Sequence, residues 1–280
     1  MPRISVVIPA HNAAQTLESS VRSTLFALPK DSEVLIYDDA STDATRVVAE
    51  QLRDRDNRVR VFGHEGRNIG AARARNHLIG GSDSEFVAAL DADDISLPNR
   101  FVLFDRSMKG VDLSFAPIVR FGSGQRLHVP RPAPLSPEAL PLALFVINPL
   151  PQSTMLARRE SLNGSATYIH GPAEDYELWM RLAAGGKRIR FAALPNVAYR
   201  HHASQATAKS SYTSRVRRNP ELLRGWSSLG ESLGLPAAWT LSNEEIRVSA
   251  MALISDLDRQ ADRVRLRRLM KLDTAFPFVN

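Results

Sequence analysis

The sequence predicts an α/β protein built on a doubly wound, mostly parallel sheet, and two observations support this fold class. Short apolar runs typical of buried strands alternate with stretches whose apolar residues recur at helical spacing. The connections between them are short, as expected where helices cross from one parallel strand to the next. Ligands bind such sheets beyond the carboxyl ends of the strands, so we expect functional residues there.

The first third of the chain contains four predicted strands and three predicted helices. The strands are ISVVI (4–8), EVLIYDD (33–39), RVRVFG (58–63) and EFVAALD (85–91). The helices cover about residues 14–27, 40–54 and 68–80. We expect Asn12 to cap the first helix and Ser41 or Thr42 to cap the second, because their side chains can accept hydrogen bonds from the first turn.

Beyond residue 115 the alternation becomes looser. Residues 122–137 are rich in Gly, Pro and Ser and predict a long loop. A strand leading into a short helix is expected within 146–162, a helix within 171–189 that ends at Gly185-Gly186, and a last pair of strands within 190–202. From about residue 206 the chain is predicted to be helical and basic.

Composition indicates a folded globular protein with an anionic partner. Hydrophobic residues make up 44% of the 280 residues and charged residues 24%, which are ordinary values. The chain has no cysteine, no secretory signal pattern and no apolar run long enough to span a membrane, so we expect a cytoplasmic protein without disulfides. Its net charge of +6 favours a phosphorylated ligand, a membrane surface or nucleic acid as partner.

Carboxylates are crowded at two of the predicted strand ends. Asp38 and Asp39 close the second strand, and Asp91, Asp93 and Asp94 follow the fourth. Two like charges about 4 Å apart repel by roughly 4 kcal/mol near a protein surface, so something must offset the repulsion. Three interpretations remain open: a divalent cation bound by Asp-X-Asp, a solvated turn in which Asp91 caps a following helix, and an aspartate that accepts a phosphoryl group.

Five motifs together resemble, in order and spacing, the family 2 glycosyltransferases of the glycosyltransferase-A fold. They are IPAHNAAQTLESSVRSTL, LIYDDASTDAT, NIGAARARN, ALDADDISLP, and AEDYELWMRL followed by AYRHH, and they span roughly residues 3–205. The resemblance implies an inverting, metal-dependent transferase that takes one sugar from a nucleotide-sugar donor, with UDP as the expected nucleotide. It also implies a nucleotide-sugar-binding half (1–115), an acceptor-binding half (116–205) and a basic helical extension (206–280).

The resemblance assigns a nucleotide-binding role to residues at several strand ends. Asp39 matches the residue that hydrogen-bonds the base, and Arg200 matches a diphosphate contact. The loop that walls the nucleoside pocket is matched by Pro9, Ala10 and Asn12, and a polar cluster beside the nucleotide by Asn68, Arg75 and Asn76. His11 receives no role.

The metal and the catalytic base are assigned in the same way. Asp93 matches a direct ligand of Mn²⁺ or Mg²⁺, Asp91 lies near the ribose or a metal-bound water, and His202 matches a further ligand, whereas His201 should face the other way. Asp94 is expected either to support a metal ligand without touching the metal or to cap a helix. Asp175 of the Glu174-Asp175 pair matches the general base, which an inverting transfer needs in order to take the proton of the acceptor hydroxyl.

Other functions fit the sequence less well. A nucleotidyltransferase would show a Gly-rich phosphate loop after the first strand, and a dehydrogenase G-x-G-x-x-G; neither is present. A nucleotide-binding module without transferase activity is disfavoured by the retained aspartates. Processive synthases of the family contain Gln-X-X-Arg-Trp, which this chain lacks.

The basic C-terminal region has two interpretations. It forms either an amphipathic surface on an anionic membrane, at whose inner face a lipid-linked acceptor would be found, or helices that pack back on the catalytic domain with their arginines in solvent. The acceptor is expected to be a saccharide, free or lipid-linked. Nucleic acid is not an expected partner, because the region lacks interleaved aromatic residues.

Overall fold

The computed structural model describes residues 2–63, 66–122, 128–129, 134–164, 167–202, 215–216, 218–235 and 243–271. Most of the predicted loop 122–137 lies outside this part of the chain. The strands are β1 (Ile4–Ala10), β2 (Glu33–Asp38), β3 (Val59–Gly63), β4 (Phe86–Ala89), β5 (Ile95–Ser96), β6 (Leu113–Phe115), β7 (Ile118–Gly122), β8 (Leu156–Arg158), β9 (Ile189–Phe191) and β10 (Val197–His201). The α-helices are α1 (Leu17–Ala27), α2 (Thr45–Arg55), α3 (Ala71–Gly80), α4 (Phe104–Met108), α5 (Leu140–Val146), α6 (Glu174–Ala184), α7 (Pro220–Ser232), α8 (Asn243–Asp256) and α9 (Gln260–Leu269).

A mostly parallel sheet forms the centre of the protein, which confirms the predicted fold class. Its order is β3-β2-β1-β4-β8-β6-β9, and only β8 runs antiparallel to its neighbours. Short 3-10 turns flank β8 on both sides, at Gln152–Thr154 and Arg159–Leu162. The expected final pair of strands was wrong as a pair, because β9 joins this sheet whereas β10 joins a second sheet of order β5-β10-β7.

Side chains alternate between the two faces of the central strands, which is why helices cover both. In β1, Val6 and Ile8 pack into the apolar cluster formed with α1 and α2. Val7 between them points to the opposite cluster, which includes α3, α5 and α6. The apolar runs of the sequence are continuous rather than alternating because each of these strands is buried on both faces.

The C-terminal helices pack back on the catalytic domain through their inner faces. Trp226 of α7 stacks on Phe145 of α5 with ring centroids 4.7 Å apart and donates a 2.9 Å hydrogen bond from Nε1 to its carbonyl. Ile246 and Ile254 of α8 and Leu266 of α9 are fully buried in the same cluster. No helix in the described part of the chain combines the length and apolarity needed to cross a bilayer.

Two glycines allow strand ends to approach closely beside the candidate site. Gly63, at the end of β3, has φ +137°, and a Cβ there would lie 2.4 Å from the carbonyl oxygen of Asp38. Gly122, at the end of β7, has φ +116°, and a Cβ there would lie 2.6 Å from the carbonyl oxygen of His201. Any side chain at either position would push the neighbouring strand end away.

Candidate active site

The candidate site lies at the edge of the sheet where β1, β2 and β4 end. The parallel register places Ala10 beside Asp38, and Leu90 donates a backbone hydrogen bond of 3.2 Å to Val7. The loops that follow these strands therefore leave the sheet side by side. The two aspartate clusters noticed in the sequence lie at this edge: Asp38 is the last residue of β2, and the other aspartates follow β2 or β4 in these loops.

Asp39 fixes the loop that precedes α3. Its side chain is buried, Oδ1 accepts from the backbone N–H of Ile69 at 2.6 Å, and Oδ2 accepts from Gly70 at 2.8 Å. Asn68 Nδ2 donates to the carbonyl of Asp39 at 3.2 Å. Because each carboxylate oxygen can accept more than one hydrogen bond, Asp39 can still receive a base N–H, and that role stays a prediction.

The residues after β1 tie the first loop to the second. Asn12 has φ +50°, accepts from the backbone N–H of Thr42 at 2.8 Å, and donates its own N–H to Ser41 Oγ at 3.0 Å. The prediction that Asn12 caps α1 was wrong, since that helix begins at Leu17. Its amide side chain is used by the neighbouring loop instead.

The predicted caps of α2 were also wrong. The N-cap position is taken by Ala44, which has no capping side chain, and the backbone N–H of Thr45 donates to Asp43 Oδ1 at 2.9 Å. Ala10 is only 1% exposed and faces the core, so it can wall a pocket only through its backbone, and Pro9 precedes it in β1. His11, which the sequence left without a role, contacts the carbonyl of Asp39 through Nδ1 at 2.8 Å.

Asp94 supports the site from the protein interior by binding the backbone of Arg200. It is fully buried, and its Oδ1 accepts a hydrogen bond of 2.9 Å from the backbone N–H of Arg200. Burial and the nearby charges of Asp91 and Asp93 raise the pKa of Asp94 well above its usual value. The helix cap was wrong, because the chain continues into β5 rather than a helix, and Asp94 itself is buried rather than solvated.

Asp93 and His202 come together across the two sheets. Asp93 Oδ2 and His202 Nε2 are 2.7 Å apart, with both side chains about a third exposed or less. Arg200 donates from Nε to the carbonyl of Asp93 at 2.8 Å, and its guanidinium lies 4.7 Å from the ring centre of Phe121. Burial and the charge of Asp91 raise the pKa of Asp93, and His202 partly opposes this shift.

The chemistry of these side chains fits a divalent cation, although their arrangement is incomplete. Among the described residues, no three His, Cys, Asp or Glu side chains are grouped closely enough to hold a metal ion. Asp93 and His202 nevertheless offer an oxygen and a nitrogen at one point, a donor pair suited to Mn²⁺. Burial is the largest cause of the raised pKa values of Asp93 and Asp94, and neighbouring carboxylates add to it. A cation would offset the negative charge of these carboxylates.

Arg75 of α3 joins the end of β4 to the start of α6. It donates from Nη2 to Asp91 Oδ1 at 2.7 Å and from Nη1 to Glu174 Oε1 at 2.9 Å. Its side chain is 6% exposed, and its guanidinium lies 5.6 Å from the ring centre of Tyr168. Burial disfavours the charge, but Asp91 and Glu174 outweigh burial and raise the pKa of Arg75.

Asp175 lies half-buried in the first turn of α6. Burial and the adjacent Glu174 raise its pKa to about 6, while Arg75 acts in the opposite direction. The helix is held in place by Trp179, which packs edge-on against Phe115 with centroids 4.7 Å apart. A carboxylate with a pKa near 6 is ionised at neutral pH and basic enough to accept a proton.

Backbone strain is concentrated around the same edge of the sheet. Within the described residues, left-handed φ angles at non-glycine positions occur at Asn12 (+50°), Ala40 (+53°) and Ala173 (+55°). These residues follow β1, follow β2 and directly precede α6. Such conformations cost of order 1–3 kcal/mol each and cluster at functional sites.

Two further residues, Asn76 and Arg100, support the loops around the site. Asn76, predicted in a polar cluster beside the nucleotide, exchanges two hydrogen bonds with the backbone of Tyr168, of 2.8 and 2.9 Å, and its place beside the nucleotide stays a prediction. Arg100 was not singled out, yet it is buried and donates to the carbonyls of Ala89 and Ser153, which steadies the end of β4. Its burial lowers the pKa of Arg100 to about 9. A lone arginine in a loop offered no pattern that would have revealed this contact.

Sequence comparison with known proteins identifies the family of this chain and several relatives. Residues 5–161 match the family described as Glycosyl transferase family 2. The succinoglycan biosynthesis protein ExoU of Rhizobium meliloti is 42% identical over 35% of this chain and 28% of its own length. A glucosyltransferase of Escherichia coli, WfaP, named for UDP-Glc and an α-D-GlcNAc-diphosphoundecaprenol acceptor, is 27% identical over 74% of this chain and 81% of its own length.

Solved structures agree on the fold. The TarS structure of S. aureus with UDP-GlcNAc superposes with a TM-score of 0.62 at 18% identity, covering 96% of this chain and 84% of that chain. A mannosyltransferase of Pyrobaculum calidifontis with GDP-Man and Mn²⁺ gives a TM-score of 0.54 at 16% identity, covering 96% of this chain and 85% of that chain. At these identities the likeness establishes the glycosyltransferase-A fold.

Proposed function

Because this chain belongs to glycosyl transferase family 2, we propose that it is a glycosyltransferase that moves one sugar from a nucleoside-diphosphate sugar to an acceptor hydroxyl with inversion. UDP is the nucleotide we propose, and Asp39 is its base contact. The observation that supports this most directly is the link through Arg75 between Asp91, after β4, and Glu174, beside Asp175. It connects the expected donor side of the site with the proposed base.

In the proposed reaction, Asp175 takes the proton of the acceptor hydroxyl as its oxygen attacks the anomeric carbon. The bond from that carbon to the diphosphate breaks at the same time, and the nucleoside diphosphate leaves with both bonding electrons. A positioned general base of this kind contributes roughly 10²- to 10⁴-fold to the rate. The pKa of about 6 supports this role, because Asp175 is ionised at neutral pH before the acceptor arrives.

We further propose that Mn²⁺ or Mg²⁺ is bound by Asp93 and His202, with Asp91 near the ribose or a metal-bound water. When bound, the cation would stabilise the negative charge of the departing diphosphate. The convergence of Asp93 Oδ2 and His202 Nε2 supports the position. Arg200, whose Nε holds the carbonyl of Asp93, supports the same loop and is the proposed diphosphate contact. Asn68 and Pro9 complete the proposed nucleotide pocket.

The acceptor we propose is a saccharide on a lipid diphosphate, in the synthesis of a cell-surface polysaccharide or glycolipid. Two Escherichia coli relatives are named for diphosphoundecaprenol acceptors, which supports this class of substrate. The outer face of α8 and α9 would contact an anionic membrane, since Val248 (61%) and Val264 (46%) remain exposed beside arginines although the inner faces are buried.

The proposal is tested by calorimetric titration with UDP, dTDP and GDP, each with Mn²⁺ and with a chelator. We expect metal-dependent binding of UDP, lost in His202→Ala and weakened in Asp39→Asn. Transfer is then measured with a panel of UDP-sugars and polyprenyl-diphosphate saccharides, with Asp54→Asn as a control at an exposed position on α2. Full transfer by Asp175→Asn, or no binding of any nucleotide by the folded protein, would contradict the proposal.

A further inference from the structure

The side chain of Arg75 donates hydrogen bonds to two carboxylates of the protein itself. The resemblance placed this residue in a polar cluster beside the nucleotide. In the structure, one guanidinium nitrogen donates to Asp91 and another to Glu174, at 2.7 and 2.9 Å. A guanidinium that holds two carboxylates in a fork fixes their direction as well as their charge.

The three residues come from segments far apart in the chain. Arg75 lies in α3, Asp91 follows β4, and Glu174 begins α6 directly after the left-handed Ala173. This pair of hydrogen bonds is a direct polar connection between the end of β4 and the turn that contains Asp175. A shift of either carboxylate is therefore transmitted to the other through one rigid group.

The surroundings of Arg75 keep the guanidinium in place. Its side chain is 6% exposed, the ring of Tyr168 covers one face, and the backbone of Tyr168 is held by two hydrogen bonds with Asn76. The Nε of Arg75 is buried and has no hydrogen-bond partner among the described residues. One buried N–H is thus left unsatisfied, which carries a cost, and this indicates that the two carboxylates decide the position of the guanidinium.

We infer that Arg75 is a positioning residue that aligns the first turn of α6, and with it Asp175, with the donor side of the site. It acts through Asp91 and Glu174 and makes no essential contact with the nucleotide. This role rests on the proposed function of Asp175 as general base. Misplacement of a base by a fraction of an ångström lowers the rate of the chemical step and leaves nucleotide affinity intact.

The test separates catalysis from binding in three variants and one control. Arg75→Met is expected to lower kcat by about 100-fold or more while the Kd for UDP changes by less than about threefold. Glu174→Gln, which keeps the Arg75–Asp91 pair, is expected to lower kcat by about tenfold with the same KM for the donor. Arg73→Met removes an exposed arginine on the same helix and should leave all values unchanged.

The double variant Arg75→Met/Glu174→Gln decides whether the two residues act as one unit. We expect it to lose no more kcat than Arg75→Met alone, because both changes break the same connection. The positioning role would be overturned if the loss of kcat in the double variant equalled the product of the losses in the two single variants. A rise in the Kd for UDP that matches the fall in kcat would also overturn it. If Arg75→Met does not fold, Glu174→Gln decides alone, and an unchanged kcat in that variant overturns it.

Failure of the proposed function gives a different pattern. If Asp175→Asn transfers sugar like the wild type, Asp175 is not the base, whatever the Arg75 variants do. If Asp175→Asn is inactive while Glu174→Gln is fully active, the base stands and only the role of Arg75 fails.

Discussion

Replacing Asp175 by asparagine should remove transfer and stabilise the fold. The pKa of Asp175 is about 6 in the folded protein, raised from 3.8 by burial and by Glu174. Ionisation of such a group costs the folded state up to about 3 kcal/mol, an upper bound because the carboxylate is partly open to water. Asparagine has the same shape, keeps an acceptor for the backbone and is uncharged, so it avoids this cost.

The gain in stability should depend on pH in a defined direction. Below the unfolded-state pKa of about 4, Asp175 is protonated in both states and the variant gains nothing. As the pH rises the wild type loses stability relative to Asp175→Asn, by about half of the full difference at pH 5 and all of it above about pH 7. Since the pKa is raised on folding, the penalty is present at high pH and absent at low pH.

Urea unfolding followed by tryptophan fluorescence, with a chelator present, measures this difference. Wild type, Asp175→Asn and the control Asp54→Asn are compared at pH 4.5 and pH 7.5. Trp179 and Trp226 are buried and report on the catalytic core and on α7. A variant that is less stable than wild type at pH 7.5, or one that gains equally at both pH values, would refute the reasoning about burial.

Three further predictions follow from the same structure. The kcat of the wild type should be half-maximal near pH 6 and reach a plateau above about pH 7, because Asp175 must be ionised to act as base; a flat profile from pH 5 to 8 would exclude a base with this pKa. Gly63→Ala should lower unfolding stability by about 2 kcal/mol or more and weaken UDP binding, because its Cβ would meet the backbone of Asp38, whereas Gly80→Ala has open space and should be nearly neutral in both measurements. Replacing Val248 and Val264 together by aspartate should abolish co-sedimentation with phosphatidylglycerol vesicles without changing UDP affinity; undiminished sedimentation would place the membrane contact elsewhere.

The sequence predicted the parts of the fold that depend on local pattern. The apolar runs of β1, β2 and β4 have the length of strands and are apolar at successive positions, so both faces of each strand are apolar. This pattern indicated a buried parallel sheet with helices on each side. The positions of Asp39 and Asp91 directly after such runs indicated which edge of the sheet would be functional. These properties are set by residues within a few positions of one another, which is why the sequence is sufficient for them.

Hydrogen-bond partners were predicted poorly. A polar side chain has many potential partners along the sequence, and only folding decides which of them lies within hydrogen-bond distance. Asn12 is of a residue type that caps helices, but it accepts a hydrogen bond from Thr42 of the next loop. The hydrogen bonds of Asn76 with the backbone of Tyr168 were not predicted. The inner and outer faces of α8 and α9 have similar apolar residues among arginines. Only packing against α5 decided which of them, such as Ile254, would be covered.

The sequence by itself therefore determined the sheet, the edge that holds the carboxylates and the family of the chain. The tertiary structure decided how those carboxylates are held. Arg75, Asp91 and Glu174 meet only because three distant segments pack side by side, and the shared guanidinium depends on that packing to within about an ångström. No periodicity or spacing along the chain encodes such a contact, since its energy exists only after the fold has brought the charges together and removed them from water.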